Sequence, residues 1–379
     1  MSTTRTRRRA LLGTAVAAVI ALGAAAPAAA AEPAETADPV QESLDALVGK
    51  ELPGAWASVL DADGESRDYV AGVGDRKTGA EPPVNGYGRI GSATKTYVAT
   101  VVLQLVGEGK VDLDAPIEDY LPKLVRGKGI DGRKITVRQL LQHTSGLPNY
   151  TGFITDYFEI RHTYMDPRQV LDLALSHKAS FAPGTKWEYS NTNYILLGLL
   201  VQKVTGRPIG EQVTDRIIKP LGLKDTYWPG IGEQGIRSPH PEGYAYRKPG
   251  APLVEFTEMD PSWGWAAGQM IATPSDVNRF YRALLDGKLL KPAQLAEMRR
   301  TVKDESIPFG WQFGLGLVKI KLSCGGHAWG HGGDIDGYET RDAATDDGRA
   351  ATVMVNALPS TEAGAVKVNQ ALDTALCRS

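Results

Sequence analysis

The chain has 379 residues, 42% of them hydrophobic, and a formal net charge of -2. This composition is typical of a globular protein with one large domain or two interleaved ones. The 42 basic and 44 acidic residues nearly balance, which argues against the basic surface that nucleic-acid-binding proteins need.

The N-terminus has the composition of an export signal. Arg5, Arg7, Arg8 and Arg9 precede an apolar run over residues 11–26, and three alanines follow at positions 29–31. This pattern predicts a signal peptide over residues 1–31 and a secreted mature protein without a membrane anchor. The Sec and twin-arginine routes both remain open. Because an exported protein meets an oxidising environment, we expect the two cysteines, Cys324 and Cys377, to be joined.

The first elements after this segment are a helix over residues 41–48 and a hairpin. The hairpin strands cover residues 55–60 and 66–73, and Asp63-Gly64 supplies the residues that a tight turn needs. Apolar residues then recur at helical spacing from 92 to 108, and Gly109 ends that helix.

The middle of the chain, residues 112–260, is predicted to be helices and long loops with few strands. The later elements are helices at 274–286, 292–300 and 361–376 and strands at 315–322, 337–341 and 350–358. We therefore predict an α/β (α+β) fold in which an antiparallel sheet, flanked by helices, is built from both termini. The sheet domain comprises residues 32–111 and 261–379, a mostly helical domain over 112–260 is inserted, and a cleft lies between them.

The strongest chemical pattern is Ser92-Ala93-Thr94-Lys95. Residues three apart in a helix share a face, so the lysine amine is expected beside the serine hydroxyl. A serine hydroxyl needs an adjacent base to become a nucleophile, and a lysine can act as one when burial lowers its pKa. The backbone N–H of a serine at a helix start is free to stabilise an oxyanion. Alone, the pattern also fits a serine N-cap followed by an exposed lysine.

Three further features are candidates for the same cleft. In Tyr189-Ser190-Asn191 the phenol could relay a proton and the asparagine could hold a substrate amide, and Ser190 or Asn191 could also cap a helix. The second feature is a histidine-glycine segment, in which glycines allow close approach of a substrate backbone. The third, around Trp263, suits either a cleft wall or the core. The histidine-glycine segment consists of His331, Gly332, Gly333 and Asp334, and the segment around Trp263 consists of residues 263–268.

The order of these motifs resembles the penicillin-recognising serine hydrolases, which include class C β-lactamases and penicillin-binding proteins. The resemblance extends over nearly all of residues 40–377, and it is closest to the soluble secreted D-alanyl-D-alanine carboxypeptidases. It implies a β-lactamase/transpeptidase-like fold and a disulfide between the two cysteines. Further matching segments are residues 89–95, 136–147, 181–184, 189–194, 220–223, 267–276 and 330–333.

The resemblance also implies a role for each site residue. Ser92 would attack a carbonyl and form an acyl-enzyme, while Lys95 and Tyr189 would move protons; it does not decide which of the two is the base. Asn191 would hold the acyl-side amide, and His331 would lie on the strand that lines the site. The backbone N–H groups of Ser92 and Asp334 would form the oxyanion hole. Together the predicted catalytic residues are Ser92, Lys95, Tyr189 and His331, and the predicted substrate-binding residues are Asn191, Trp263, Gly332, Gly333 and Asp334.

The chain departs from the carboxypeptidases where they recognise a substrate carboxylate. They have arginine at the position of Val318 and threonines at those of Gly332 and Asp334. Strand alternation points Lys319 and Lys321 away from the face of Val318. Two like charges 4 Å apart repel by roughly 4 kcal/mol at an effective dielectric of about 20. We therefore expect Asp334 to favour neutral or amine-bearing substrates.

The leading interpretation is a secreted serine D,D-peptidase of the D-alanyl-D-alanine carboxypeptidase type, acting on peptidoglycan-like peptides and acylated by β-lactams. The alternatives are a D-aminopeptidase, D-amino-acid amidase or esterase of the same family, a class C-like β-lactamase, or a non-catalytic wall-binding module. We predict no metal and no cofactor, because the sequence has neither a His-Glu-x-x-His pair nor a complete calcium loop.

Overall fold

The computed structural model describes residues 38–248 and 250–378. The predicted signal peptide, residues 1–31, and the first residues of the predicted mature chain lie outside these ranges. Within them, no helix combines the length and the apolar character that a membrane crossing requires.

The described residues form ten α-helices. They are α1 (Pro39–Asp45), α2 (Thr94–Gly107), α3 (Val137–Leu141), α4 (Pro167–Leu175), α5 (Asn191–Thr205), α6 (Ile209–Val213), α7 (Lys219–Leu221), α8 (Pro274–Leu285), α9 (Pro292–Met298) and α10 (Glu362–Arg378).

Fifteen strands accompany these helices in the described part of the chain. They are β1 (Gly54–Leu60), β2 (Ser66–Gly72), β3 (Gly88–Arg89), β4 (Arg126–Gly127), β5 (Ile130–Asp131), β6 (Thr226–Tyr227), β7 (Tyr244–Tyr246), β8 (Leu253–Glu255), β9 (Ile271–Ala272), β10 (Gln312–Phe313), β11 (Val318–Lys321), β12 (His327–Gly330), β13 (Gly333–Ile335), β14 (Tyr338–Thr345) and β15 (Ala350–Val355).

The main sheet is antiparallel and combines strands from the two ends of the chain. Its order is β10-β11-β12-β14-β15-β1-β2, and β13 pairs with β14 beside this path. The N-terminal hairpin joins the C-terminal strands through β1 and β15, with Ala55 opposite Val355 and Leu60 opposite Ala350. The predicted fold class, an antiparallel sheet built from both termini and flanked by helices, is confirmed.

Strand β1 shows how the sheet separates two hydrophobic layers. Ala55, Ala57 and Val59 belong to the cluster that contains buried residues of α1 and α10. Trp56 and Leu60 belong to the larger cluster, which contains buried residues of α2, α5 and α8. Because successive side chains of a strand point to opposite faces, one fully buried strand serves both layers.

Helix α2 lies at the centre of the larger layer, and eleven of its fourteen residues are buried. A helix that is apolar or small on every side is stable only when surrounded by protein. It contacts α5, α6 and α9. Helix α2 is therefore held in place by elements from both the middle and the later part of the chain.

The predicted element types agree with the structure, but several boundaries differ. The predicted helix 92–108 is a 3₁₀ turn, Gly91–Ala93, followed by the α-helix from Thr94. The predicted strand 315–322 is shortened to β11 because Gly316 has a left-handed φ of 72°. The sequence does not predict β12, whose four residues are too few to show a clear alternation. The strand expected to contain His331 begins two residues later, at Gly333 of β13, so His331 lies in the link between β12 and β13. The division into a sheet domain and an inserted helical domain stays a prediction.

Candidate active site

Ser92 and Lys95 meet at the start of α2. The Lys95 amine Nζ lies 2.8 Å from Ser92 Oγ. The 3₁₀ turn places the serine immediately before the helix, and the lysine is in the helix's first turn. The spacing of three residues therefore gives the hydroxyl–amine contact that it predicts.

The surroundings of Lys95 favour its neutral form. The side chain is fully buried, and its amine also donates to the carbonyl oxygen of Ala267 at 2.6 Å. Burial lowers the pKa of Lys95 well below its ordinary value, and the nearby negative charge of Asp334 opposes that shift only in part. An unprotonated amine at neutral pH can accept a proton from Ser92.

Tyr189 contributes a phenol to the same place. Its ring centre lies 5.0 Å from the Lys95 amine. Its hydroxyl is buried and makes no hydrogen bond of ordinary geometry within the described residues. The hydroxyl of Ser92 is nevertheless close enough to lower the pKa of the phenol, against the larger effect of burial. Burial raises the pKa of Tyr189, so the phenol is protonated and can act as a proton donor.

His143, to which no role was assigned from the sequence, supports Tyr189. The two rings stack with centres 4.3 Å apart. The imidazole Nδ1 lies 3.2 Å from the backbone N–H of Ser190 and 3.1 Å from the amide nitrogen of Asn193, and both of these groups are donors. Burial lowers the pKa of His143 well below its ordinary value, so the ring is neutral and accepts both hydrogen bonds.

Asn191 opens α5 and lines the same pocket as Ser92. Its backbone N–H donates to Asn149 Oδ1 at 3.0 Å, and its amide donates to the same oxygen at 3.2 Å. Ser190 occupies the N-cap position but makes no capping hydrogen bond through its side chain. The prediction that the Ser190 side chain caps this helix is therefore wrong. The side chain of Asn149, which the sequence does not single out, accepts the N–H group at the helix start instead.

The backbone of strand β13 packs directly against the backbone of Ser92. A Cβ atom at Gly333 would lie 2.0 Å from the carbonyl oxygen of Ile90 and 2.6 Å from the backbone nitrogen of Ser92. A Cβ atom at Gly91, whose φ is 47°, would lie 3.0 Å from the nitrogen of Asp334. These glycines allow the backbones of Ser92 and Asp334 to approach, as two donors to one oxyanion would require.

His331 and Gly332 precede β13 and are held by a buried carboxylate. Asp342 on β14 accepts the backbone N–H groups of His331, at 3.0 Å, and Gly332, at 3.2 Å. Burial lowers the pKa of His331 to about 3. Its Nδ1 donates to the carbonyl of Gly332 at 2.9 Å, and its ring faces that of Tyr189 at 6.2 Å. The imidazole is therefore a neutral neighbour of the phenol, and its catalytic role stays a prediction.

Asp334 is not the isolated anion that the sequence suggested. Its side chain is 61% exposed, and its carboxylate lies 2.6 Å from the guanidinium of Arg341. Arg341 also contacts the buried Glu339 at 2.6 Å. Burial raises the pKa of Glu339 to about 7. Because Arg341 already compensates the charge of Asp334, this residue repels a substrate carboxylate less than we estimated.

A pocket of about 240 Å³ opens in front of the serine. Of the predicted site residues, Ser92, Asn191, Trp263 and Asp334 line it. The other predicted site residues, which are Lys95, Tyr189, His331, Gly332 and Gly333, are not among its lining residues. The other lining residues are Tyr150, Thr151, Tyr157, Gly264, Ala267, Gly268, Ile335, Asp336 and Leu358.

The lining residues of this pocket include neither lysine nor arginine. Val318, at the position of the carboxypeptidase arginine, is fully buried and packs with Trp187 and Phe313. Lys319 instead lies over the ring of Trp329, at 5.7 Å from its centre. Among the described residues, no group of three or more histidine, cysteine, aspartate or glutamate side chains is arranged to hold a metal ion.

Comparison with known proteins agrees with this geometry. The family model described as Beta-lactamase matches residues 40–376. The chain belongs to this family of serine hydrolases, and the resemblance to the penicillin-recognising enzymes is confirmed.

Individual relatives differ in their reactions. The solved structure of a D-stereospecific amidohydrolase from Streptomyces sp. is 40% identical, with a TM-score of 0.81 over 88% of this chain and 97% of that one. Esterase EstB of Burkholderia gladioli is 32% identical over 71% of this chain and 76% of its own length. Penicillin-binding protein 4 of Amycolatopsis lactamdurans is 29% identical over 69% of each chain.

Proposed function

We propose that this protein hydrolyses amide or ester bonds of D-configured substrates through an acyl-enzyme on Ser92. The contact of 2.8 Å between Ser92 Oγ and the buried Lys95 amine is the observation that supports this most directly. A nucleophile beside a base of lowered pKa is the arrangement that covalent catalysis needs.

The first half of the reaction forms the acyl-enzyme. Ser92 Oγ attacks the substrate carbonyl carbon while its proton moves to the Lys95 amine. The carbonyl oxygen takes up the electron pair and is stabilised by the backbone N–H groups of Ser92 and Asp334. When the oxyanion collapses, the bond to the leaving amine or alcohol breaks, and Tyr189 supplies that group with a proton, which is replaced from Lys95.

The second half reverses the roles with water. A water molecule attacks the acyl carbon and gives up one proton toward Tyr189 and Lys95. Collapse of the second oxyanion breaks the bond to Ser92 Oγ, which recovers its proton. The product is a carboxylic acid, and every group of the enzyme returns to its starting protonation state.

The lining of the pocket favours amides and esters over peptides with a terminal carboxylate. Recognition of a free carboxylate calls for a cation, and the lining residues include none. The position of the carboxypeptidase arginine is the buried Val318. The similarity to a D-stereospecific amidohydrolase, which extends over nearly the whole of that chain, also supports amide substrates.

A D-alanyl-D-alanine carboxypeptidase acting on peptidoglycan-like peptides is the second candidate. The sequence motifs and the relative described as a penicillin-binding protein support it. Membership of the β-lactamase family also supports acylation of Ser92 by β-lactams. A fluorescent penicillin would leave a stable adduct on a peptidase and would be turned over rapidly by a β-lactamase.

One panel of substrates tests these proposals. The protein would be assayed with a D-alanine amide, its L enantiomer, a short ester and a tripeptide ending in D-Ala-D-Ala. We expect turnover of the D-amide and the ester, and loss of both reactions in Ser92→Ala. Full turnover by a folded Ser92→Ala variant would show that another residue is the nucleophile, and preference for the tripeptide would favour the carboxypeptidase.

We also propose that the protein is exported. The charged and apolar segments within residues 1–31 and the disulfide between Cys324 and Cys377 support this. N-terminal sequencing of protein from a culture supernatant would test it, and a start near Glu32 is the expected result.

A further inference from the structure

Asp336 places a carboxylate in the pocket that contains the nucleophile. It follows β13 in the short turn to β14, and it lines the pocket together with Ser92 and Asn191. Gly337, the next residue, has a left-handed φ of 93°, and a Cβ atom there would lie 3.2 Å from the carbonyl of Phe256. The close backbone contact and tight turn fix where Asp336 leaves the sheet.

The charge of Asp336 is uncompensated by the described residues. Their ion pairs include Arg341 with Asp334 and with Glu339, but none to Asp336. The residue is partly buried, and loss of solvent is the sole cause that raises its pKa to about 6. A carboxylate shielded from water and without a partner is unfavourable, so a ligand that brings a cation would be bound favourably.

Aromatic rings line the rest of this pocket. Tyr157 and Trp263 lie with ring centres 4.7 Å apart, and Tyr150 donates its hydroxyl hydrogen to the carbonyl of Trp263 at 2.5 Å. Aromatic faces attract ammonium groups and also pack against apolar side chains. Burial raises the pKa of Tyr157, and the negative charge of Asp336 adds to that shift, so the field of Asp336 reaches this wall.

We propose that Asp336 binds an ammonium group of the substrate, so that the preferred substrates carry a free amine. This inference rests on the proposed hydrolysis at Ser92 and narrows its substrate class to amino-acid amides, amino-acid esters and peptides with a free amine. The amine is either the α-amino group or the amino group of a side chain. Asp334 contributes less to this preference, because Arg341 already compensates it.

Matched substrates separate these possibilities. The first is D-phenylalanine amide, the second its N-acetyl derivative, the third 3-phenylpropionamide, which lacks the amine, and the fourth Nα-acetyl-D-lysine amide. We expect the wild type to prefer the first to the second and third if the α-amino group is bound. Preference for the fourth over the second would identify a side-chain amine. Equal rates on all four would overturn the proposal.

Three variants assign the effect to one carboxylate. Asp336→Asn keeps the size of the side chain and removes its charge. Loss of a charge-assisted hydrogen bond should lower kcat/KM for the preferred amine substrate by about 10- to 100-fold, with the N-acetyl substrate changed less than about twofold. Asp334→Asn should change the ratio of the two substrates less. Asp63→Asn, in the exposed β1–β2 turn, is the charge-matched control and should not change it.

Binding to an inactive protein separates this proposal from the proposed reaction. In Ser92→Ala, calorimetry with D-phenylalanine amide and 3-phenylpropionamide reports on the amine without turnover. Tighter binding of the amine, lost on adding Asp336→Asn, would support the proposal even if Ser92 were not the nucleophile. Equal affinities, or an equal loss for every substrate in Asp336→Asn, would overturn it while leaving the proposed reaction intact.

Discussion

Lys95 is enclosed by protein on every side, and its amine has two neighbours that accept hydrogen bonds, Ser92 Oγ and the carbonyl of Ala267. Neither neighbour carries a charge. Burial without a directly paired carboxylate lowers the pKa of the amine, and the proposed role of Lys95 as the base for Ser92 requires such a lowered pKa. The charged group that acts on the Lys95 amine is Asp334, and Arg341 compensates the charge of that carboxylate.

Activity should therefore depend on the loss of a proton from Lys95. Its folded pKa is depressed, so the neutral base is present above that pKa and is lost as the pH falls through it. We expect kcat/KM to decline as the pH falls through this lowered pKa of Lys95. Lys95→Arg should reduce kcat/KM by about 100-fold or more at every pH, because a guanidinium does not lose its proton. A variant that kept a tenth of the activity would contradict this role.

His143 gives a second prediction at this scale. His143→Phe keeps a ring beside Tyr189 but leaves the Ser190 N–H and the Asn193 amide without their acceptor. Each unsatisfied buried donor costs roughly 1–3 kcal/mol. We expect a lower melting temperature and a reduced kcat. Unchanged values of both would show that the hydrogen bonds from Ser190 and Asn193 to His143 do not position the phenol.

The sequence was most informative where partners are close along the chain. The contact between Ser92 and Lys95 follows from helical spacing alone. The partners of Asn191 and His331, which are Asn149 and Asp342, approach only through tertiary packing. For the same reason, the sequence wrongly predicts an uncompensated charge at Asp334. Its partner Arg341 becomes a neighbour only when β13 pairs with β14.

At the scale of elements, the site depends on β13 passing directly over the 3₁₀ turn of Ser92. Gly333 is in contact with the backbone of Ile90 and Ser92. The sequence indicated that glycines here would allow close approach of a substrate backbone. The structure shows that they allow close approach of the protein's own backbone, which a motif alone does not reveal.

Gly333→Ala should therefore disrupt the site. Its methyl group would overlap the backbone of Ile90 and Ser92, so β13 would move and the two candidate oxyanion donors would separate. Removal of one such donor costs roughly 100- to 1,000-fold in kcat. Gly235→Ala is the matched control, since nothing lies within 4 Å of a Cβ atom there. Normal kcat in Gly333→Ala would exclude this arrangement.

At the scale of the whole molecule, the last helix is fastened to the sheet. Cys377 near the end of α10 is bonded to Cys324 in the turn between β11 and β12, a sequence separation of 53. Next to it, Ser323 donates its backbone N–H to Asp373 at 2.8 Å. Helix α10 in turn packs on α1 and on β15. The predicted pairing of the two cysteines is confirmed.

Loss of this bond should affect stability more than catalysis. Closing a loop of this length stabilises a protein by about 4 kcal/mol in the chain-entropy description. The double variant Cys324→Ser, Cys377→Ser should have a lower free energy of unfolding by about that amount and an unchanged kcat in the folded protein. Wild-type protein in which the disulfide has been chemically reduced should show the same loss of stability and the same unchanged kcat. A loss of kcat well below the melting temperature would contradict this separation.

The pairing of β1 with β15 also determines when the fold can form. The backbone N–H of Gly54 donates to the side chain of Asn356, 302 positions later in the chain. During translation, the edge of β1 that pairs with β15 therefore stays open until residues 350–355 have left the ribosome. An exposed strand edge is prone to aggregate. The nascent protein should thus need a chaperone until its C-terminal strands have arrived.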